Sequence, residues 1–263
     1  MTTRRCAIAV CAALTGLAVA SAPAWSRGNP AGRGPEGAYE RAIDTTGIGV
    51  GQMSSVYKAM ALIQKRKLTE ADLRLNRVLA AFRRIMTDSK ARYVCFRSKE
   101  DYQRFVETVR KLKGDAEAKR VVRVSWGLCE ALQLKARIAS RRLKWTDALK
   151  FLDQVMGYAP CAAWPYCERG YILNKHGKPA EALEAYKKAS TLAENFDGSW
   201  HERALALRGM GFAQIELGQL QAAKASFQKS LKIEPNNKLA LSELKYIAKL
   251  EKEQAPKDAP PKE

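Results

Sequence analysis

Histidines and paired carboxylates are the first candidates for catalysis or metal binding in this chain of 263 residues. Its two histidines, His176 and His201, each lie beside a turn signal. They supply neither a zinc ligand set nor a serine–histidine–aspartate triad. Glu181 and Glu184 are three positions apart and close to Lys187, a spacing typical of surface ion pairs on a helix rather than of acid–base chemistry. We therefore expect no enzyme activity, no metal site and no cofactor.

Cysteines are the other reactive side chains, and four of the six follow the amino-terminal segment 1–24: Cys95, Cys129, Cys161 and Cys167. In an oxidising compartment an even count suggests disulfides, and three connectivities are possible. We favour Cys161 with Cys167, which leaves Cys95 with Cys129. The short loop gives the first pair only about 2.4 kcal/mol of chain-entropy stabilisation. Buried free thiols are the alternative, while a redox-active role is disfavoured because the spacing is not Cys-x-x-Cys.

Residues 1–24 have the pattern of a secretory signal peptide. Arg4 and Arg5 precede an apolar run from Cys6 to Ala20, and the small residues Ala22-Pro23-Ala24 end it. We expect cleavage after Ala24 or Ala20, and a periplasmic or secreted protein without a membrane span. An uncleaved anchor is the alternative, but the apolar run is shorter than the roughly 20 residues that a spanning helix needs. A transit peptide is a further alternative, since residues 1–35 contain no acid.

The formal net charge of +19 is unevenly distributed along the chain. Residues 52–162 carry +14 of it, residues 163–263 carry +3, and residues 25–51 are balanced. A basic half favours an acidic partner or an anionic surface, with solvated helix faces as the alternative. Nucleic acid is the less favoured polyanion because of the export signal.

Between two low-complexity ends, the chain has the periodicity of helices. Residues 25–51 are rich in glycine and residues 255–263 in proline and charge, so we expect a flexible leader and a disordered tail. Ser98 precedes Lys99-Glu100-Asp101 in a pattern like a capping box, which predicts a helix that ends at Gly114. Nothing longer than residues 93–96 has the pattern of a strand.

A fixed spacing recurs in the carboxyl-terminal half. The stretch LGQLQAAKASFQKSLKIEPNN, residues 217–237, has glycine, alanine and aromatic positions that each follow a similar residue of HGKPAEALEAYKKAS, residues 176–190, at one constant offset. The matched positions are Gly177 with Gly218, Ala182 with Ala223, Tyr186 with Phe227 and, just before them, Gly170 with Gly211. Each copy predicts two helices, with small residues where the helices cross and an aromatic ring between successive pairs.

This pattern resembles the tetratricopeptide repeat, a helix-turn-helix unit of about 34 residues. The match is closest in Ala204 to Asn237 and continues in Ala163 to Phe196. A degenerate unit, Cys129 to Ala162, has Ala136 and Leu143 at the glycine positions, and Gln52 to Ile85 is a weaker candidate. Lys238 to Glu253 is then expected to be a polar-faced capping helix.

The resemblance implies an all-α fold: a right-handed helical solenoid over residues 129–254, preceded by a helical amino-terminal region over residues 52–128. It also implies a concave groove, lined by the first helix of each repeat, that holds a peptide or a partner helix. The residues placed in the groove by alignment are Arg137, Ser140, Arg141, Tyr171, Asn174, Lys175, Arg208, Phe212 and Ile215. Their mixture suits a protein ligand with an acidic group beside an apolar anchor. We expect a non-catalytic interaction scaffold in the cell envelope; binding of an anionic polymer by residues 52–162 is the alternative.

Overall fold

Four helical hairpins and a closing helix make up most of the described chain. A computed structural model describes residues 48–195 and 200–254; the predicted signal peptide, the tail and most of the leader lie outside them. The paired helices are α1 (Met53–Gln64) with α2 (Leu68–Ile85), α5 (Gly127–Arg141) with α6 (Trp145–Tyr158), α7 (Trp164–Lys175) with α8 (Pro179–Asn195) and α9 (Trp200–Glu216) with α10 (Leu220–Ile233), followed by α11 (Lys238–Gln254). The insertion between the first two pairs contains β1 (Arg92–Cys95), α3 (Lys99–Lys113), α4 (Asp115–Lys119) and β2 (Val121–Val124). The predicted all-α helical solenoid is confirmed, with two short strands added.

All four hairpins turn in the same way. One residue in each turn has a positive φ: 60° at Arg66, 58° at Leu143, 65° at Gly177 and 71° at Gly218. The next amide then donates to the carbonyl five positions earlier, as Lys67 does to Leu62 at 2.9 Å and the other three do at 2.8–2.9 Å. This is the hydrogen bond that closes a helix with a left-handed residue. The hairpin α1–α2 therefore has the turn geometry of the others, although its turn residue is an arginine.

Aromatic rings packed on glycines explain the constant offset between the two copies. A Cβ atom added to Gly170 would lie 2.7 Å from the ring of Tyr186, and one added to Gly211 would lie 2.6 Å from the ring of Phe227. Each ring belongs to the second helix of a pair and each glycine to the first. Tyr186 also lies against Gly209 of the following helix, α9. Only a residue without a side chain allows so close an approach, which is why glycine and the aromatic residue recur together.

The insertion is a small βαβ unit. β1 and β2 pair in parallel, with Arg92 opposite Val121 and Cys95 opposite Val124, and α3 and α4 form the crossover between them. The predicted helix start is confirmed, since Ser98 Oγ accepts from the Asp101 amide at 3.0 Å, and α3 ends before Gly114. The second strand was not predicted because VVRV is too short a run to distinguish strand from helix by periodicity.

One face of the insertion packs against the ends of later helices. Val94, Phe96 and Phe105 share a buried cluster with Cys161 of the α6–α7 connection and Leu192 of α8. The other face belongs to a separate cluster, which includes Cys95 and the buried residues of α1, α2 and α5. The βαβ unit therefore joins the first hairpin to the repeats that follow.

The flexible leader was predicted to extend to residue 51, but residues 48–51 already belong to the fold. Ile48 forms a parallel bridge with Val124, its amide donating to Arg123 at 3.3 Å and its carbonyl accepting from Ser125 at 3.0 Å. Residues 50–52 then form one 3₁₀ turn that leads into α1. This short extension of the sheet was not predicted, because the glycine content of residues 25–51 is typical of a flexible segment.

The closing helix α11 differs in part from the predicted polar-faced cap. Its inner side buries Ala240 and Ile247 against Phe227 of α10. Its outer side, however, exposes Leu239, Leu241 and Tyr246 along with its charged residues. Helix α11 thus covers the core of the last repeat, but its own exposed surface carries apolar as well as charged side chains.

The structure does not bring together Cys161 and Cys167, the pair favoured for a disulfide, and that pairing stays a prediction. Cys167 is a free thiol that donates to the Glu202 carbonyl at 3.8 Å, and it belongs to a different buried cluster from Cys161. The helix that begins at Trp164 carries the second cysteine away from the first. Cys95 and Cys129 are also free thiols, but both lie in the first cluster.

Two exposed glycines allow the turn geometry to be tested with one kind of substitution. An added Cβ meets no atom within 4 Å at either Gly218 or Gly157, and only Gly218 has a positive φ. Gly218→Ala should lower the free energy of unfolding by about 1 kcal/mol, because left-handed backbone costs an L-residue roughly 1–2 kcal/mol. Gly157→Ala, in helix α6, should raise it by about 0.5–1 kcal/mol. Urea unfolding followed by circular dichroism measures both; equal effects of the two variants would contradict the turn assignment.

Candidate binding groove

The nine predicted groove residues lie on the first helices of three successive pairs. Three are on α5, three on α7 and three on α9. Their surroundings divide them into residues that hold the fold together, residues that pack against the core, and residues whose polar groups remain available to a ligand. The α5, α7 and α9 face that carries all nine is called the groove face below.

Arg208 is a structural residue rather than a ligand-binding one. Its side chain is buried, and its guanidinium forms an ion pair with the carboxylate of Glu234. The same carboxylate contacts His201 Nδ1 at 2.5 Å and accepts from Asn237 Nδ2 at 3.1 Å. Asn237 Oδ1 in turn accepts from the Ala240 amide at 3.1 Å at the start of α11. Arg208 thus ties α9 to the α10–α11 turn, and its removal would leave a carboxylate with no cationic partner of the same strength.

Arg141 and Ser140 also serve the fold. Arg141 Nη1 donates to the Ile63 carbonyl at 3.1 Å, so it caps the carboxyl end of α1. Burial, followed by the nearby charges of Arg137 and Arg66, lowers the pKa of Arg141. Ser140 is buried within α5. Alignment of repeats placed Arg141 in the groove because it takes no account of contacts with the first hairpin.

The apolar groove residues are largely occupied with packing. Phe212 meets the ring of Phe227 edge to face, with centroids 5.3 Å apart. Phe212 and Ile215 lie partly buried against the cluster that joins α10 to α11. Tyr171 likewise packs between the clusters on either side of α7. Each keeps some exposed surface, so each offers a limited apolar contact to a ligand.

Arg137, Asn174 and Lys175 keep polar groups that the described fold does not use. Within residues 48–195 and 200–254, the half-buried Arg137 has no hydrogen bond or ion pair, and Asn174 Oδ1 is buried without a hydrogen-bond partner. Lys175 is exposed, with its Nζ 5.8 Å from the ring centroid of Tyr171. The available centre of the groove face is therefore cationic and lies on α5 and α7.

Two acids on the same helices, the buried Glu130 and the half-buried Glu168, were not predicted. Desolvation raises the pKa of Glu168 to about 7, with the charge of Arg137 acting in the opposite direction. Burial also raises the pKa of Glu130, against the lowering effects of Arg97, of the Trp126 Nε1 hydrogen bond at 3.2 Å and of Arg137. The spacing of seven between Glu130 and Arg137, two helical turns, was the available sequence signal. Near pH 7, Glu168 is therefore only partly ionised and offsets only part of the positive charge of the groove face.

The histidines are positioned as turn and helix-end residues. His176 is exposed after the last residue of α7, with its ring 5.0 Å from that of Trp145. His201 lies in the first turn of α9 beside Glu234. Across the part of the chain that the structure describes, there is no group of three or more histidine, cysteine, aspartate or glutamate residues arranged to hold a metal ion. No helix in the same part is long and apolar enough to cross a membrane.

Comparison with known sequences places the repeats in a family. A family model of the tetratricopeptide repeat matches residues 161–235, which confirms the two clearest of the predicted repeats. The Homo sapiens protein O-mannosyl-transferase TMTC3 is 31% identical over 111 residues, 42% of this chain and 11% of that protein. The Arabidopsis thaliana protein high chlorophyll fluorescent 107 is 40% identical over 63 residues, 23% of this chain and 10% of that protein. The chain thus spans about a tenth of the length of these curated relatives.

Similar solved structures are repeat domains of the same kind. The first TPR of Spaghetti (RPAP3), bound to an HSP90 peptide, is 22% identical with a TM-score of 0.42, covering 47% of this chain and 93% of that one. The Arabidopsis OM64 TPR domain is 25% identical with a TM-score of 0.41, covering 46% of this chain and 94% of that one.

The raised pKa of Glu168 predicts a pH-dependent stability with a definite sign. The carboxyl group keeps its proton up to about pH 7 in the folded chain, but only to about 4.5 when unfolded. Its contribution to stability is therefore complete below about pH 4.5 and is lost as the pH rises to about 7. Glu168→Gln should match the unsubstituted chain at pH 4.5 and exceed its free energy of unfolding at pH 8 by on the order of 1–3 kcal/mol.

Urea unfolding at the two pH values measures this difference. Glu184→Gln is the matched control, because Glu184 is exposed and paired with Lys187 at 2.7 Å; it should change stability little at either pH. A Glu168→Gln effect that is the same at pH 4.5 and pH 8 would contradict the assignment.

Proposed function

Because the chain carries tetratricopeptide repeats, we propose that it is a non-catalytic scaffold that binds a peptide or partner helix on the groove face. Solenoids of stacked helix pairs present extended concave surfaces to protein ligands. The observation that carries the proposal is the set of unused polar groups of Arg137, Asn174 and Lys175 on adjacent first helices. A folded chain rarely leaves a buried polar atom without a partner unless something else satisfies it.

The partner's chemistry follows from these residues. Guanidinium and ammonium groups at Arg137 and Lys175 favour a carboxylate, and the exposed edge of Tyr171 favours an apolar side chain beside it. Arg137 and Lys175 are the two cations available here, so a ligand with one or two acidic groups fits better than a long polyanion. The sequence pattern of residues 1–24 further leads us to propose that the protein acts in the cell envelope, as a periplasmic or secreted protein.

Selection of peptides from a random library displayed on phage, with the full chain as target, tests the proposal directly. The enriched peptides should share an acidic residue close to an apolar one. Arg137→Ala with Lys175→Ala should weaken binding of such a peptide at least tenfold, since a hydrogen bond to a charged group contributes about 1.5–3 kcal/mol. Lys187→Ala, which removes an exposed charge from the second helix α8, is the control and should leave the dissociation constant unchanged.

Two outcomes would contradict the groove proposal. One is a peptide whose affinity survives loss of both groove cations. The other is equal weakening by the control variant, which would indicate a non-specific charge effect. Arg208 is left in place in this experiment, because its ion pair with Glu234 supports the fold.

A second candidate function, binding of an anionic polymer or surface, rests on the first hairpin. Helices α1 and α2 and their turn contain two acids, Glu70 and Asp72; Glu70 pairs with Lys67, and Asp72 with Lys135 and Arg142. Seven cations of this hairpin have no ion pair within the described residues: Lys58, Lys65, Arg66, Arg74, Arg77, Arg83 and Arg84. Beside it, the lining of a 370 Å³ cavity between α2, α5 and α6 includes Lys144, Lys150 and the acid Asp147.

Salt dependence separates the two candidates. If the basic half binds a polyanion, neutralising Lys65, Arg66 and Lys67 should abolish binding, and affinity should collapse between roughly 50 and 200 mM salt. Retention of a selected peptide by that triple variant supports the groove face instead.

A further inference from the structure

Two thiols lie together where the βαβ insertion meets the repeats. Cys95 ends β1 and is 1% exposed, and Cys129 lies in the first turn of α5 and is 0% exposed. Both belong to the same buried cluster, and Cys95 is among the causes, after burial, that raise the pKa of the Cys129 thiol. Cys95 pairs with Val124 in the sheet, and its Sγ donates at 3.8 Å to the carbonyl of Ser125, four residues before Cys129.

The other two cysteines are directed elsewhere. Neighbouring residues of a strand point to opposite faces, so Cys95 projects away from Val94 and Phe96. Those two residues pack in the cluster that contains Cys161. Cys167 lies in a third cluster and donates to the Glu202 carbonyl. Of the three possible connectivities, only one includes a pair of cysteines that share a buried cluster.

We propose that Cys95 and Cys129 form an intramolecular disulfide when the chain folds in the presence of a small-molecule disulfide. This inference is independent of which ligand the groove face binds. The bond would fasten the last residue of β1 to the first solenoid helix after the insertion. It would close a loop that encloses α3, α4 and β2, so the whole crossover would be held at both ends.

The chemistry consumes one equivalent of the oxidant. A thiolate of one cysteine attacks the small-molecule disulfide and expels one small thiolate; the second cysteine then attacks the mixed disulfide and expels the other. The two protein thiols lose two electrons and two protons, which convert the small disulfide into two small thiols. Since both sulfurs are buried in the folded chain, the exchange is expected during folding, before the cluster closes.

The experiment is to refold the full chain in a mixture of reduced and oxidised glutathione, alkylate the remaining thiols and map tryptic peptides without reduction. Cleavage after Arg92 and Arg123 gives peptides 93–97 and 124–135, each with one of the two cysteines, whereas Cys161 and Cys167 share peptide 151–169. The proposal predicts a linked 93–97/124–135 species that disappears on reduction. It also predicts that peptide 151–169 carries two alkyl groups.

Stability provides a second measurement. Oxidation should raise the urea midpoint of the unsubstituted chain and of Cys161→Ala, but not that of Cys129→Ala. Alkylation of both Cys95 and Cys129 in refolded protein would overturn the proposal. So would a link from either of them to peptide 151–169.

Discussion

The contact between an aromatic ring and a glycine on a neighbouring helix determines how the helix pairs stack. Tyr186 of α8 lies between Gly170 of α7 and Gly209 of α9, so one ring sets the separation of three helices. Phe227 repeats half of this arrangement on Gly211, and it is 0% exposed. Because α7 and α9 both bear groove residues, the same ring also sets the distance across which a ligand would bind.

Buried ion pairs also hold the helices in place, in addition to this apolar stacking. Arg208 with Glu234 joins α9 to the turn that precedes the closing helix, and Lys135 with Asp72, at 2.6 Å, joins the first hairpin to α5. Both pairs are partly or fully buried, and each fixes the position of one element against another. Some of the cations that such pairing leaves over lie on the groove face and on the first hairpin, which are the two surfaces to which we assign binding.

Local periodicity was sufficient to predict the repeats, but not what each groove residue does. The spacing of Gly170, Tyr186, Gly211 and Phe227 follows from contacts inside one helix pair or between adjacent pairs. The repeat can therefore be predicted from a single sequence. The partner of Arg141, the Ile63 carbonyl, lies outside its repeat, and the partner of Arg208, Glu234, lies at the far end of its own repeat. Alignment of one unit with the next therefore placed both arginines in the groove. The two parallel strands pair with each other across the α3–α4 crossover. A short window of sequence does not contain both strands, so their pairing could not be predicted from local periodicity.

A double-mutant cycle between Gly209 and Tyr186 tests the stacking directly. Gly209→Ala places a methyl group against the ring, and overpacking of this kind costs about 1–3 kcal/mol. In a Tyr186→Leu background the ring is gone, so the same substitution should cost less by about 1 kcal/mol or more, a coupling of the size found for residues in contact. Urea unfolding of the four proteins gives the coupling energy. A cost of Gly209→Ala that is unchanged in the Tyr186→Leu background would contradict the claim that this ring positions the repeats.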